Sequence, residues 1–263
     1  MKNLHLYKKN IYSQNGEDGV ILEIIDRIFS KKKNLNVVEF GAHNGKYCSN
    51  TYNLILNKLV KTAVYIEAEE KYFNSLIELS KKQKEIIPIN AHISFKENSE
   101  FTLDKILKKK NFDINFDILS IDIDSYDLDV FRSIQIYSPK LIIIEAGRQN
   151  YGVLSEHSID KNLNSFSSIH SEFKKNFYLI FFNGNCFYLN KKYFDENLIK
   201  LNFDLNDKLH YYLNRIFANY DDKNLIKKII WRLIPKNIII LDFLMLLRNK
   251  LLWTFRNIKS IIN

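Results

Sequence analysis

Cysteine is scarce: Cys48 and Cys186 are the only two in 263 residues, and neither stands in a CxxC or Cys/His spacing. That excludes a disulfide framework and a structural zinc site of the usual kind, so both thiols are expected to be free in a reducing compartment. With three prolines and seven glycines, the chain has no Pro-rich or Gly/Ser-rich linker, and no internal repeat is visible. No apolar run follows the amino-terminal lysines, so a secretory signal is not expected and the cytoplasm is the expected location. Long hydrophobic runs are missing as well. Near the carboxyl end the longest are 238–241 and 243–247, on either side of Asp242, far short of the roughly 20 residues a spanning helix needs.

Acidic charge is scarce in one place. The net charge is +9, yet nine of the 39 Lys/Arg and one of the 30 Asp/Glu fall within residues 223–263, which leaves the rest of the chain close to neutral. The basic excess therefore belongs to a tail, and the main domain does not read as a nucleic-acid binder. The tail mixes Lys and Arg with Trp231, Trp253 and Phe255. Such a pattern suits helices that lie peripherally on an anionic membrane surface, here the inner membrane, or that pack an apolar face on the main domain or on the second subunit of a homodimer. Pro235 is expected to break it into two helices.

What is present is an alternation of short apolar runs with longer segments of helical period, the pattern of βα units around a mainly parallel sheet. Strands are expected at 36–40, 63–67, 86–91, 116–122 and 140–145, with helices near 16–29, 49–59, 71–82, 99–109, 127–136 and 163–175. The segment 178–189 holds two apolar runs about an Asn-Gly turn, which predicts an antiparallel hairpin. Five parallel strands closed by a hairpin is the element order of Rossmann-like methyltransferases, whereas a dinucleotide dehydrogenase continues with further βα units. The expected organisation is an α/β, mainly parallel seven-stranded domain over 1–190 with an amino-terminal helical lid, followed by a helical basic extension over 191–263.

The first strand runs into VEFGAHNGKYCSNT. Gly41 and Gly45 sit at its strand-to-helix turn, where a missing side chain lets backbone approach a ligand, or simply makes the turn. Ala42 stands at one small position, and the spacing is not GxGxxG. The second strand ends at Glu67, 22 residues after Gly45. A carboxylate there can accept from both hydroxyls of a ribose, because it is acceptor-only and can act bidentately. Asn90 and Ala91 follow the third strand and are candidates to flank an adenine ring, or form an ordinary turn. Asp122, Asp124 and Glu145 lie at the ends of the fourth and fifth strands. Carboxylates at those ends need solvent, a partner or a use. They suit a general base, a holder of acceptor hydroxyls or a divalent-cation site, while helix capping is the plainer role for Asp124. The six histidines show no HxxxH or HExxH spacing, so no metal motif is assigned. His43 in the glycine loop and His157 after the fifth strand are candidates to take a proton, since an unperturbed imidazole titrates near pH ~6.5.

Several blocks in order resemble the FkbM-type methyltransferases and their relatives in bacterial surface-polysaccharide loci: SQNGEDGVI at 13–21, VEFGAHNG with SNT at 38–51, YIEAEE at 65–70, NAHIS at 90–94, LSIDIDSYD at 119–127 and IIIEAG at 142–147. Together they span most of residues 12–190. The resemblance implies S-adenosylmethionine in the crevice, with Glu39, Gly41, Ala42, Gly45, Glu67, Ala68, Asn90 and Ala91 as its binding set. It implies O-methylation of a small-molecule or glycan-linked acceptor, with Asp122 or Asp124 and then His157 as the base, and the GEDG segment folded across the site, which makes Glu17 and Asp18 further candidates. Asn44 stands where many relatives carry Asp, and Ser125 where many carry Gly. The competing readings are a silent scaffold of this fold in a membrane glycan-assembly complex, a nucleic-acid methyltransferase and a nicotinamide-dependent oxidoreductase. The first has no need of Gly41, Gly45, Glu67 and the two aspartates together. The second lacks a base-stacking proline-aromatic pair after the fourth strand, and the third is disfavoured by the glycine loop and the hairpin.

Overall fold

A computed structural model describes residues 4–29, 33–123, 126–145, 157–158, 163–164, 166–183 and 185–199. The expected carboxyl-terminal helices, and with them the break at Pro235, lie outside the described residues.

After a short 3-10 turn at Leu4–Tyr7, the chain forms α1 (Glu17–Ile28), β1 (Leu35–Phe40), α2 (Tyr52–Leu56), β2 (Val60–Glu67), α3 (Glu70–Lys82), β3 (Ile86–Asn90), α4 (Leu103–Lys109), β4 (Ile118–Ile121), α5 (Asp127–Arg132) and β5 (Leu141–Glu145). A small ribbon of β6 (His157–Ser158) and β7 (Leu163–Asn164), which the sequence did not announce, precedes α6 (Phe166–Phe173), β8 (Phe177–Asn183) and β9 (Asn185–Asn190). The main sheet has seven strands in the order β3-β2-β1-β4-β5-β9-β8. The first five are parallel, and β9 runs antiparallel to both β5 and β8. This is the Rossmann-like methyltransferase arrangement. Its order reverses between β1 and β4, which opens a crevice at their carboxyl ends.

Both faces of the sheet are covered, and the period-2 alternation of strand side chains decides which residue serves which face. Val38, Phe40, Val64, Ile66, Leu119, Ile121, Ile142 and Ile144 pack with α4, α5 and α6. Leu35, Val37, Ala63, Tyr65, Ile118, Leu141 and Ile143 pack with α1, α2 and α3. In β8 the alternation slips: the register shifts between Leu179 and Phe181, so consecutive Ile180 and Phe181 enter the same layer, as an extra residue in one strand requires. Helix α1 is part of a core layer, with Val20, Ile21, Ile24 and Ile25 buried.

Helices α2, α4 and α5 are shorter than their periodicity predicts, each for a local reason, and α6 likewise occupies only part of the expected 163–175. α2 begins at Tyr52 because Ser49, Asn50 and Thr51 bond Glu39, and it ends before Lys58, whose φ of 55° turns the chain into β2. α4 begins at Leu103 because the Thr102 hydroxyl caps the Lys105 amide. α5 stops at Arg132, and the amides of Gln135 and Ile136 turn instead to Asp104 Oδ2 at 2.8 and 3.1 Å. At the opposite end of the strands from the crevice, buried Asp117 accepts from Lys140 at 2.6 Å and from the Asn36 amide at 2.9 Å, fixing β1, β4 and β5 to one another.

Candidate functional site

The loop after β1 is where the crevice is built. Gly41, His43, Gly45 and Cys48 all have positive φ, at 74°, 50°, 78° and 59°, so the loop coils tightly between β1 and α2. The two glycines are required by packing against protein. A Cβ on Gly41 would stand 1.7 Å from the carbonyl oxygen of Asp122, and one on Gly45 would meet the Leu76 and Leu79 side chains at 2.7 Å. Gly41 thus lets the loop touch the end of β4, and Gly45 lets it sit down on α3. Ala42 is buried between them, and its amide donates to the Ile66 carbonyl at 3.2 Å. Asn44 Oδ1 caps the amides of Lys46 and Tyr47 at 3.0 and 2.8 Å.

Glu39 lies beneath this loop. Its Oε2 accepts from the Ser49 hydroxyl at 3.0 Å, the Thr51 amide at 3.2 Å and the Thr51 hydroxyl, and its Oε1 accepts from the Asn50 amide at 3.0 Å. The Thr51 oxygen lies 2.7 Å from the hydroxyl of Tyr65, and the Asn50 side chain reaches Ser120 on β4 at 3.0 Å. Burial raises the Glu39 pKa, against the lowering effect of these bonds, and burial followed by the charge of Glu39 pushes that of Tyr65 well up. Glu39, one of the cofactor candidates, therefore holds the loop from below through Ser49, Asn50 and Thr51, and the Ser49 hydroxyl also accepts from the Tyr52 amide at 3.0 Å at the start of α2.

Glu67 closes β2 at the rim of the crevice. Its Oε2 accepts from the His43 amide at 2.6 Å, and its Oε1 from the Glu69 amide at 2.8 Å. Each oxygen keeps a second lone pair, so the carboxylate is aimed and still able to accept from two vicinal hydroxyls. The Asn90 side chain donates to the carbonyls of Glu67 and Ala68 at 2.9 and 3.2 Å, and the Ala91 amide to Glu67 at 3.1 Å, which joins the end of β3 to that of β2. Glu67, Ala68, Asn90 and Ala91 thus come together with Gly41 and Ala42 on one stretch of rim. The ring of His43, considered above as a proton acceptor, lies against Tyr72 with centroids 3.6 Å apart and planes at 30°. Tyr72 carries no sequence signal of its own.

Across the crevice stand Asp122 and Glu145, both half-buried, at the ends of β4 and β5. Asp124 lies outside the described residues, as does the side chain of His157. The GEDG segment reaches this side: Glu17 accepts from the Asn15 amide at 2.6 Å and from Asn185 Nδ2 at 3.3 Å, and Asn185 pairs with Glu145 in the sheet. Asp18 is turned inward, its Oδ2 taking the amides of Ile11, Tyr12 and Ser13 and the Ser13 hydroxyl at 2.7 to 2.8 Å. Both carboxylates are 1% exposed, so they fasten the amino-terminal segment instead of meeting solvent. Among the described residues no cluster of three or more His, Cys, Asp or Glu could hold a metal ion, and no helix is long and apolar enough to cross a membrane.

The family model described as the methyltransferase FkbM domain matches residues 16–179. Among solved structures, the chain is similar to TrmK of M. capricolum in complex with S-adenosylhomocysteine, at 14% identity over 81% of this chain and 93% of that one, with a TM-score of 0.42. It is similar to a SAM dependent methyltransferase from Aquifex aeolicus at 14% identity over 66% and 92%, with a TM-score of 0.38. A third, the CurJ carbon methyltransferase, is 11% identical over 71% and 57%, with a TM-score of 0.43. No curated protein matches.

Proposed function

Because the chain belongs to the FkbM methyltransferase family, we propose that it is an S-adenosylmethionine-dependent O-methyltransferase whose acceptor is a hydroxyl of a small molecule or of a surface glycan. The observation that carries the cofactor reading is Glu67, a carboxylate at the rim beside the switch point with one backbone N–H on each oxygen and a free lone pair on each for a ribose diol. When bound, S-adenosylmethionine supplies an electrophilic methyl group on a sulfonium. The chain's own contribution is to bind, align and dehydrate. Glu67 would hold the ribose, and Ala68 and Ala91, at the ends of β2 and β3, would flank the adenine. Asp122 and Glu145, at the ends of β4 and β5, would orient an acceptor hydroxyl and take its proton as the oxygen attacks.

Support for oxygen as the acceptor atom comes from this carboxylate side of the crevice, since a hydroxyl must shed a proton on transfer and a carboxylate can receive it. The experiment is transfer of a labelled methyl group from S-adenosylmethionine to sugars, nucleotide sugars and lipid-linked oligosaccharides, with product linkage read by mass spectrometry. An alkali-stable methyl ether on a sugar carbon is the expected product. Methylation at nitrogen or carbon, or of RNA alone, would contradict the reading.

A further inference from the structure

We infer that Tyr72 is a positioning residue for the ribose site, acting on Glu67 by clamping the two backbone groups that aim its carboxylate. This rests on the cofactor reading above and extends it to a residue outside the crevice-lining set. His43 holds φ at 50°, in the left-handed region that a residue with a Cβ occupies only when its surroundings impose it. That conformation directs its amide onto Glu67 Oε2 at 2.6 Å.

The nearest imposing feature is the ring of Tyr72, 3.6 Å away between centroids, with Tyr47 lying 5.5 Å off on the loop itself. Tyr72 is in the first turn of α3, and its own amide donates to the Glu69 carbonyl at 3.0 Å. Glu69 in turn gives its amide to Glu67 Oε1. One donor to the carboxylate thus comes from the glycine loop and the other from the start of α3, and the His43–Tyr72 stack ties those two segments together. Without the ring, both donors persist and Gly45 still rests on Leu76 and Leu79, but the His43 end of the loop is held less closely to α3 and the aim of the carboxylate slackens.

The test is calorimetric titration of the full chain with S-adenosylhomocysteine and with its 2′,3′-dideoxy analogue, using wild type, Tyr72→Phe, Tyr72→Leu and Tyr72→Ala. Tyr72 is half-buried on a helix surface, and Tyr72→Leu retains apolar cover should Tyr72→Ala fail to fold. An aromatic pair of this kind corresponds to about three- to tenfold in affinity. Tyr72→Ala and Tyr72→Leu should weaken S-adenosylhomocysteine binding by about that factor, while Tyr72→Phe, which keeps the stack, stays within about twofold of wild type. Against the dideoxy analogue, wild type and the two ring-deleted variants should bind alike, because the aimed carboxylate has no diol to meet. Unchanged binding of S-adenosylhomocysteine by the ring-deleted variants, or an equal penalty with the dideoxy analogue, overturns the inference while leaving the cofactor reading intact. A folded wild type that binds neither compound overturns the cofactor reading itself.

Discussion

The backbone amide of His43 lies 2.6 Å from Oε2 of Glu67, 24 residues further along the chain. This bond joins the loop after β1 to the last residue of β2, and it makes the loop's coiled shape and the aim of the carboxylate one structural unit. Disturbing the loop should therefore disturb ligand binding even where no ligand-facing group is changed.

Gly41→Ala tests the tightest point of that unit. Its Cβ would lie 1.7 Å from the Asp122 carbonyl oxygen, at a φ of 74°, and backbone cannot yield as a side-chain tip can. A stability loss of more than ~3 kcal/mol is expected in urea unfolding, together with loss of S-adenosylhomocysteine binding. Gly45→Ala meets the ends of two leucines instead and should cost less. Equal effects of the two substitutions would contradict this account of the loop.

Glu39 predicts a pH signature. Burial holds its carboxyl above the ordinary 4.5, so the folded state binds a proton more tightly than the unfolded chain. The stabilisation from that proton is complete below 4.5 and is lost as pH rises through the folded value. Glu39→Gln keeps the shape and removes the titration. Wild-type minus Glu39→Gln unfolding free energy, measured from about pH 4 to 8, should fall as pH rises. A difference independent of pH would show that Glu39 titrates alike in both states.

Lys140→Ala serves as the distant counterpart. It removes the cation that faces the buried carboxylate of Asp117 at 2.6 Å and leaves the Asn36 amide bond in place, at the end of the strands away from the crevice. Breaking one side of a buried pair costs about 3–5 kcal/mol. Denaturant midpoints should drop accordingly, while S-adenosylhomocysteine affinity, measured well below the transition, stays within about twofold. A parallel fall in affinity would mean that the two ends of the sheet are coupled.

The five parallel strands and the closing hairpin were legible because each strand is a short apolar run bounded by polar or turn residues, a signal that needs no tertiary information. The place of Glu67 at the end of β2 was legible for a related reason: it closes the second apolar run. The purposes of Gly41 and Gly45 were not. Sequence suggested ligand approach, but the space beside each is filled by Asp122 and by Leu76 and Leu79, residues brought there only by the sheet order and by α3. Glu39 entered the cofactor set through the family resemblance, yet its hydrogen-bond donors are Ser49, Asn50 and Thr51, and only the folded loop returns them to it. Tyr72 was invisible because a ring stack between a loop and a helix leaves no periodic trace. Glu17 and Asp18 illustrate the same limit: the resemblance offered them as further base candidates in a segment across the site, and only the fold brings up their donors, Asn185 and the amides at 11–13.

The most direct measurement is calorimetric titration of the purified chain with S-adenosylhomocysteine, beside Glu67→Ala and with NAD as a control ligand. The account predicts binding in the micromolar range that Glu67→Ala abolishes in a protein that remains folded, and no comparable binding of NAD. Failure of folded wild type to bind S-adenosylhomocysteine, undiminished binding by Glu67→Ala, or a preference for NAD would contradict it.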